Sequence, residues 1–425
     1  MSMETVVEGN CYVSGRFERC CVGIENGRIV KVAKVLEADK VYSFEGKAIL
    51  PGAIDSHVHF REPGMTQNED FGTGSEAAAH GGVTCVLDMP NTVPPTITIQ
   101  ALREKRRLAS AKSLVDFGLY AGVKPGIDVP ALAKEAIAFK LYMAGTTGDL
   151  LVPSLDQVKS ELAAITTSNK VLAVHAEDER LRRKDPERDL DDHLRNRNNE
   201  CETSAIKKMK EAAKGCRLHI CHVSAKDSIP FVLNVSRLTS EVTPHHLLLD
   251  KDSKIGTHAK VNPPLRKRED RHALFKALKE GAFDIFASDH APHTIDEKQE
   301  DFEYAPSGMP GVETMLPLLL HLVEEKHLSI DDVVRRLCVG PGEIFNIPKG
   351  KIAEGYDADL VVVDMKACAM IKADRLNSKC GWTAYEGMPA IFPKAVFLRG
   401  QIMIEHGHQV GERMGRDVVE SSRKA

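Results

Sequence analysis

Eight short apolar runs alternate with segments of helical periodicity through the middle of the chain, and this alternation constrains the fold more than any other feature. The runs have the length and composition of buried strands, whereas the segments between them repeat apolar residues at helical spacing. Eight strands, each followed by a helix, is the number that closes a (β/α)8 TIM barrel. We therefore predict an α/β fold built on that barrel. The runs are Ala53–His59, Val83–Met89, Val115–Val123, Ala138–Met143, Val171–Glu177, Arg217–Ser224, Glu241–His245 and Asp284–His290, and the helical segments include Ile97–Ala111, Leu155–Thr166, Ala205–Ala213 and Asp270–Leu278.

The two ends of the chain carry short strand-like runs instead of this alternation. The first 50 residues contain several of them and a hairpin turn signal at Asn26-Gly27. The tail has the same texture, for example at Leu360–Asp364 and Ala395–Arg399. We predict that both ends join in one small β module beside the barrel. The expected boundaries are residues 1–50 for the first part of the module, 51–345 for the barrel and 346–425 for the second part.

Length and composition exclude several classes of protein. The chain has 425 residues, which suits one large barrel and a smaller module, and a net charge of -4, which gives no electrostatic basis for nucleic-acid binding. Its ten cysteines are scattered without a CxxC pair, as in proteins of a reducing compartment. Neither a signal peptide nor an apolar run of about 18 residues is recognisable. We expect a soluble, cytoplasmic protein that binds neither nucleic acid nor a membrane.

The first predicted barrel strand ends in two histidines that are separated by one residue, His57 and His59. Residues two apart on a strand point to the same side, so the two rings can converge on one ion. Histidines that are merely packed or paired near a turn would be the simpler explanation. Their position at the end of an apolar run favours a metal site.

Four more runs carry a group suited to metal binding near their C-terminal ends. Because the active sites of (β/α)8 barrels lie at that face, residues from five strands would meet in one place. The joint pattern predicts a metal centre, since chance does not put each candidate ligand at the same end. The four groups are Lys140, His175, His222 and Asp289.

Lys140 lies within an apolar strand, where an ammonium group is unfavourable to bury. Its amine could extend to solvent or pair with a carboxylate. Alternatively, it reacts with carbon dioxide and becomes an anionic carbamate whose two oxygens bridge two cations. Four neutral histidines and Asp289 would otherwise leave two divalent ions poorly neutralised. We favour Lys140 as the bridge, and Asp149, in the loop after the same strand, is the competing residue.

A series of motifs runs in order along the chain. They are HVHFREPG (His57–Gly64), DMPNT (Asp88–Thr92), FKLYM (Phe139–Met143), VHAE, HICHVS, TPHHL, NPPLR (Asn262–Arg266), SDHAPH and, in the tail, KIAEGYDADLVVVD. Together they resemble the amidohydrolase superfamily, specifically its dihydroorotases of the type with a carboxylated lysine. The resemblance implies a terminal β-sandwich and a hydrolase acting on cyclic amides. The implied reaction is the reversible cyclisation of N-carbamoyl-L-aspartate to L-dihydroorotate, a step of de novo pyrimidine (UMP) biosynthesis.

The resemblance also implies a centre of two zinc ions per subunit. The implied ligands are His57, His59 and Asp289 for one ion, His175 and His222 for the other, and carboxylated Lys140 as the bridge. A hydroxide shared by the ions would attack the ring carbonyl, because metal binding lowers the pKa of water toward about 7. Asp289 would be the catalytic acid and base that takes the proton of the hydroxide and passes it to the leaving ring nitrogen.

Substrate recognition is implied to depend on the carboxylate of dihydroorotate and on the amide edges of its ring. A guanidinium presents a planar fork that fits a carboxylate, so Arg61 is the central residue. A salt bridge of Arg61 with Glu62 or Asp70 is the structural alternative, and Asn91 could be a simple turn residue. The implied ligands are Arg61, Asn91 and His293 for the carboxylate, and Asn262, Ser307 and Gly308 for the ring.

Several weaker assignments stay open. Cys221 and Glu241 match positions of an additional zinc ion in the animal enzyme domain, although a small buried thiol is the simpler interpretation of Cys221. Asn262 stands where that domain has an arginine. The segment Thr294–Pro306 could close over the substrate, and the charge-dense segment Lys184–Glu200 is expected to be a solvated helix or loop.

Two other functions compete with this interpretation. A dihydropyrimidinase, hydantoinase or allantoinase would share the barrel and the metals, but its substrate lacks the ring carboxylate that Arg61 and His293 would bind. A non-catalytic relative that serves as an interaction scaffold should have lost ligands, whereas this chain keeps each one. The expected partner is a small-molecule substrate. The family resemblance adds a homodimer and an association with aspartate transcarbamoylase as further expectations.

Overall fold

The computed structural model describes residues 3–420. Its strands are β1 (Met3–Val13), β2 (Arg16–Glu25), β3 (Arg28–Ala33), β4 (Ala38–Pro51), β5 (Ala53–Val58), β6 (Val83–Asp88), β7 (Asp116–Gly122), β8 (Ala138–Tyr142), β9 (Val171–His175), β10 (Arg217–Ile220), β11 (Leu238–Val242), β12 (Ile285–Phe286), β13 (Leu360–Val363), β14 (Ala369–Met370), β15 (Pro389–Ala390), β16 (Pro393–Leu398), β17 (Gln401–Glu405) and β18 (His408–Gln409). Its α-helices are α1 (Phe71–His80), α2 (Ile99–Lys112), α3 (Val129–Glu135), α4 (Lys159–Ser168), α5 (Leu190–Asn196), α6 (Asn199–Ala212), α7 (Ile229–Val232), α8 (Pro244–Leu248), α9 (Arg268–Lys279), α10 (Ile295–Gln299), α11 (Met315–Glu324), α12 (Ile330–Val334) and α13 (Gly340–Phe345).

The strands β5 to β12 form a barrel in which they pair in chain order and in parallel. The barrel closes where the backbone N–H of His59 donates to the carbonyl oxygen of His290 at 2.8 Å, beside a parallel bridge between Val58 and His290. The residues of β5 to β9 are buried on both faces, as expected for parallel strands covered by helices. The predicted (β/α)8 barrel is confirmed.

Seven of the eight predicted runs enclose a barrel strand. The remaining run, Glu241–His245, is wrong because it extends beyond the C-terminal end of its strand. β11 ends at Val242, and Thr243 caps helix α8 because its hydroxyl accepts a hydrogen bond from the backbone N–H of His246. Pro244 occupies the first turn of α8, where a missing N–H is tolerated. His245 therefore lies on a short helix. The predicted helical segments overlap α2, α4, α6 and α9.

Both ends of the chain contribute to one further sheet, with the strand order β18-β17-β16-β13-β4-β1-β2-β3. The long strand β4 connects its two halves, because it pairs with β1 in parallel and with β13 in antiparallel orientation. The halves share a core, in which the ring of Tyr42 packs edge-on against Phe397 at a centroid distance of 5.1 Å. The sheet thus forms the expected β-sandwich module, built from both termini.

A buried charge cluster connects this module to the barrel at the end opposite the C-terminal face. The ammonium group of Lys349 lies 2.7 Å from Asp116 Oδ2, 2.9 Å from Asp357 Oδ2 and 2.7 Å from Asp359 Oδ2. Asp116 begins β7, and the guanidinium of Arg399 on the module also contacts it. Although burial alone lowers the pKa of Lys349, the three carboxylates raise it above its usual value. The cluster fixes the module against the barrel.

Within residues 3–420, no helix has both the length and the apolar character that a membrane crossing requires.

Candidate metal centre

One cavity opens at the C-terminal ends of the barrel strands. Because the strands are parallel, the residues that follow them share this face. The cavity brings together every predicted site residue except His293. Its wall consists of His57, His59, Arg61, Asn91, Lys140, Tyr142, Thr146, Thr147, His175, His222, Val261, Asn262, Asp289, Ala291, Ser307, Gly308 and Met309.

Three residues of this wall have backbone conformations in the left-handed region. The φ angle is 62° at Arg61, 35° at His222 and 48° at Asp289. Residues other than glycine rarely adopt this region, and those that do cluster at functional sites. The chain thus accepts local strain at three positions that the sequence predicted to bind metal or substrate.

His57 and His59 point the same ring atom at one carboxylate, as their alternation on β5 predicts. Their Nε2 atoms lie 3.3 Å and 3.1 Å from Asp289 Oδ1. The other ring nitrogens face oxygen acceptors, because His57 Nδ1 lies 2.5 Å from Glu241 Oε1 and His59 Nδ1 lies 2.7 Å from Asn91 Oδ1. A ring that donates its Nδ1–H to an oxygen keeps the lone pair of Nε2 free, which is the arrangement of a metal-binding histidine.

His175 and His222 form a second pair across β9 and the end of β10. His175 Nδ1 lies 3.1 Å from His222 Nε2, and His175 Nε2 lies 2.8 Å from Glu177 Oε2. Burial lowers the pKa of both histidines, so both rings are neutral, as a metal ligand must be. With the hydrogen of His175 directed at Glu177, the lone pair of His175 Nδ1 faces His222 Nε2. This geometry fits a cation between them.

Glu177 holds His175 in place, and sequence reasoning missed it. Its carboxylate also accepts a hydrogen bond from the Arg197 guanidinium, which in turn contacts the backbone oxygen of Gly145. The sequence contained a signal for this residue, because Glu177 follows His175 by two residues. Arg197 lies in the segment Lys184–Glu200, and the expectation that this segment is solvated is wrong at this residue, because its side chain is buried.

Lys140 is fully buried in the floor of the cavity, so the interpretation that its amine extends to solvent is wrong. Its Nζ lies 3.4 Å from His57 Nε2 and 2.9 Å from Cys221 Sγ. Within residues 3–420, no carboxylate pairs with it, so the interpretation as an ion pair is also wrong. An unpaired ammonium among histidines is strongly unfavourable. A carbamate on this nitrogen would replace the positive charge with a negative one that metal ions neutralise.

The competing bridge residue lies outside the cavity. The side chain of Asp149 is 96% exposed, and its carboxylate pairs with Lys124 at 3.5 Å. Asp289, in contrast, lies against the histidine pair with only 12% of its side chain exposed. Although burial alone raises the pKa of Asp289, its contacts with His57 and His59 bring that pKa below its usual value. Ligand atoms of His57, His222 and Asp289 lie within 4.8 Å of one another, which suits a shared ion.

Arg61 is buried at the cavity wall, where its side chain contacts only uncharged groups. Its Nε donates to the backbone oxygen of Pro292 at 3.2 Å, and its Nη2 lies 3.1 Å from His293 Nε2. The alternative of a salt bridge is wrong, because Glu62 pairs with Lys112 and Asp70 pairs with Lys379. Burial lowers the pKa of Arg61 to about 10, so the group stays a cation at neutral pH.

The remaining residues predicted to bind substrate surround Arg61. His293 lies behind it, outside the cavity wall, with its Nε2 3.2 Å from the backbone oxygen of Ser307. Asn91 donates to the backbone oxygen of Thr147 at 3.0 Å in addition to holding His59, so it is more than a turn residue. The amide oxygen of Asn262 is buried and has no partner within residues 3–420.

The model of the amidohydrolase family matches residues 48–403, which is most of the chain. The chain belongs to the amidohydrolase family. It is similar to proteins named dihydroorotase from Methanosarcina mazei (38% identity, 92% of each chain covered), Thermoplasma acidophilum (37%, 98% of each) and Pyrococcus abyssi (38%, covering 98% of this chain and 99% of the relative). The resemblance to dihydroorotases is thereby confirmed.

Solved amidohydrolase structures share this fold. The L-hydantoinase (dihydropyrimidinase) from Arthrobacter aurescens superposes with a TM-score of 0.91 at 28% identity, covering 98% of this chain and 99% of its own. A D-hydantoinase superposes with a TM-score of 0.90 at 26% identity, with the same coverage. The likeness confirms the barrel and the terminal module of this amidohydrolase.

Below the cavity, this amidohydrolase carries a second group of ligand atoms, from His57, Cys221 and Glu241, that lie within 4.8 Å of one another. Glu241 Oε2 also lies 3.0 Å from His219 Nε2, a contact that sequence reasoning missed. Burial raises the pKa of the Cys221 thiol. This favours the simpler interpretation, in which Cys221 is a small buried residue of apolar character. An additional ion at these residues stays a prediction.

Proposed function

We propose that this protein is a dihydroorotase, which cyclises N-carbamoyl-L-aspartate reversibly to L-dihydroorotate in pyrimidine biosynthesis. One observation carries the choice among cyclic-amide hydrolases. Arg61 is a buried cation at the wall of the cavity that contains the histidines, and no carboxylate of residues 3–420 pairs with it. A buried charge without a partner is unfavourable unless a ligand supplies the opposite charge. Dihydroorotate carries a carboxylate, whereas hydantoin, dihydrouracil and allantoin do not.

We assign the metal-binding roles as the resemblance implies, with two zinc ions and a carboxylated Lys140. The geometry that supports this is the free lone pairs at His57, His59 and His175, with His222 beside them, and a fully buried lysine with which no carboxylate of residues 3–420 pairs. Ions bound there would polarise the ring carbonyl and lower the pKa of water toward about 7. Asp289 would complete the set of ligands.

Asp289 is the residue we assign to proton transfer. Its carboxylate is held by His57 and His59 at the edge of the cavity and is largely buried, with 12% of its side chain exposed. In the hydrolytic direction it would accept a proton at a carboxylate oxygen and deliver it to the leaving ring nitrogen. In the biosynthetic direction it would deprotonate the carbamoyl nitrogen. A carboxylate in a fixed position avoids reorganisation during this transfer.

The substrate would lie between Arg61 and the loop that carries Ser307 and Gly308. The guanidinium would bind the carboxylate through the N–H groups that its contacts with Pro292 and His293 leave available. The unpartnered amide oxygen of Asn262 would accept from a ring N–H. Both assignments stay proposals, as do a homodimer, an association with aspartate transcarbamoylase and a cytoplasmic location.

A substrate panel tests this function. Purified protein with zinc is assayed by absorbance for hydrolysis of L-dihydroorotate, hydantoin, dihydrouracil and allantoin under the same conditions. We expect dihydroorotate to be hydrolysed with a kcat/KM at least a hundredfold above the others, and N-carbamoyl-L-aspartate to cyclise at lower pH. Faster turnover of an uncharged ring would contradict the proposal. Absence of bound metal together with absence of turnover would support the scaffold alternative.

A further inference from the structure

The hydroxyl of Tyr142 is a buried polar group that the assignments above do not use. Tyr142 ends β8, and its residue is only 2% exposed. The hydroxyl oxygen is buried, and within residues 3–420 it has no hydrogen-bond partner. Buried tyrosine hydroxyls normally find a partner, because leaving one unsatisfied is unfavourable.

Tyr142 lies at the wall of the cavity that would hold the substrate. Residues two apart on a strand point to the same side, so Tyr142 follows Lys140 into the barrel mouth. Its side chain contributes to the cavity wall together with Arg61 and Asp289. Sequence analysis did not name Tyr142, although the alternation of side chains along FKLYM could have indicated that it lies on the same side as Lys140.

The ring of Tyr142 is held in a fixed orientation. It stacks on the imidazole of His175 with a centroid distance of 6.3 Å and an interplanar angle of 29°. Lys140 Nζ lies 5.4 Å from the centroid of the ring. Because the ring is packed in this way, its hydroxyl cannot turn to solvent without breaking the stack. A phenol is protonated at neutral pH, so the group is available as a donor.

We propose that Tyr142 is a substrate-binding residue whose hydroxyl donates a hydrogen bond to an acceptor oxygen of the bound cyclic amide. This inference rests on the proposed function, which supplies a ligand with two ring carbonyls and a carboxylate. Arg61, in the loop after β5, and Tyr142, at the end of β8, then present donors to one molecule. A site whose buried donor is satisfied only by substrate discriminates against ligands without the matching acceptor.

Tyr142→Phe removes only the hydroxyl and is the direct test. The wild type and the variant are compared with L-dihydroorotate, with metal content measured on both and thermal unfolding measured after metal removal. We expect kcat/KM to fall by about tenfold or more, as for the loss of a directed donor. Metal content should equal that of the wild type. The melting temperature of the metal-free variant should not fall, since the hydroxyl has no protein partner to lose.

Tyr120→Phe is the matched control. Tyr120 is an equally buried tyrosine on the adjacent strand β7, but its hydroxyl donates to the backbone oxygen of Ser56 at 3.1 Å and does not contribute to the cavity wall. This variant should lose stability and keep kcat/KM within about twofold of the wild type. The contrast separates a hydroxyl that binds substrate from one that supports the fold.

Two results would overturn the inference. One is a kcat/KM of Tyr142→Phe within about twofold of the wild type, which would mean that solvent satisfies the hydroxyl. The other is a loss of metal in proportion to the loss of activity, which would make Tyr142 a support of the metal centre. Failure of the wild type to hydrolyse dihydroorotate would instead refute the proposed function. An effect on KM would assign the bond to the carboxylate, and an effect on kcat to the reacting carbonyl.

Discussion

Arg61→Met tests the charge argument on which the choice of substrate depends. Methionine retains much of the length of the side chain but removes the cation. Charge-assisted hydrogen bonds contribute about 1.5–3 kcal/mol each, so a guanidinium with two such bonds to the substrate carboxylate contributes about 3 kcal/mol or more. This free energy corresponds to roughly a hundredfold change in affinity. We expect the KM for L-dihydroorotate to rise by about that factor, with metal content unchanged.

The stability of the same variant should change little, because Arg61 has no ion pair to lose. Its two contacts, with Pro292 and His293, contribute about 1 kcal/mol each, and relief of the buried charge offsets part of that loss. Arg266→Met is the matched control. Arg266 is equally buried but pairs with Glu202 at 3.3 Å, so its loss leaves a buried carboxylate unpaired and should destabilise the fold by about 3–5 kcal/mol.

The assay combines steady-state absorbance kinetics with urea unfolding and metal analysis. A KM of Arg61→Met equal to that of the wild type would refute the reasoning, because it would show that no substrate charge meets the guanidinium. A loss of stability as large as that of Arg266→Met would also refute the reasoning, since such a loss would mean that Arg61 supports the fold.

Three further predictions follow from buried lysines. Lys140→Met should bind less metal than the wild type and lose activity, and native mass spectrometry of the wild type should show the added mass of one carbon dioxide; full metal content in the variant would contradict this. Lys349→Met should lower the free energy of unfolding in urea by about 3–5 kcal/mol, because three buried carboxylates lose the cation that they share; unchanged stability would be the opposing result. Burial lowers the pKa of Lys298 from 10.5 to about 7, so between those pH values the unfolded chain binds more protons and this residue makes stability rise with pH. Lys298→Met should flatten that rise, and parallel profiles would contradict the assignment.

Most of the fold followed from local patterns. The period of the apolar residues and the position of the turns depend on neighbours along the chain, so the barrel strands and the two-ended module were predictable. The exception is the run Glu241–His245, where the pattern of apolar residues did not predict the end of the strand. The predicted run extended past Val242, but Thr243 caps a helix there and Pro244 occupies its first turn, so the strand ends at Val242.

The positions gathered in the candidate metal centre were predictable for a related reason. Parallel strands place their C-terminal ends at one face, so residues at those ends meet whatever their distance in sequence. Glu177, which orients His175, lies only two residues from it, but other orienting contacts were not predictable because they join elements far apart in the chain. Glu241 lies 184 residues from His57, and Arg197 reaches Glu177 from the charged segment. Only the packed structure shows which of the many charged residues turns inward.

The fold and the histidines together leave the substrate undecided. The L-hydantoinase superposes over nearly the whole chain at 28% identity, so a common barrel serves rings with and without a carboxylate. The structure adds the contacts of one side chain, that of Arg61. The carboxylates nearest to Arg61 in sequence, Glu62 and Asp70, pair with Lys112 and Lys379, and no other carboxylate of residues 3–420 pairs with the guanidinium. Since burying an unpaired cation is unfavourable, we expect the specificity of this barrel to depend on an anion that the substrate supplies to Arg61.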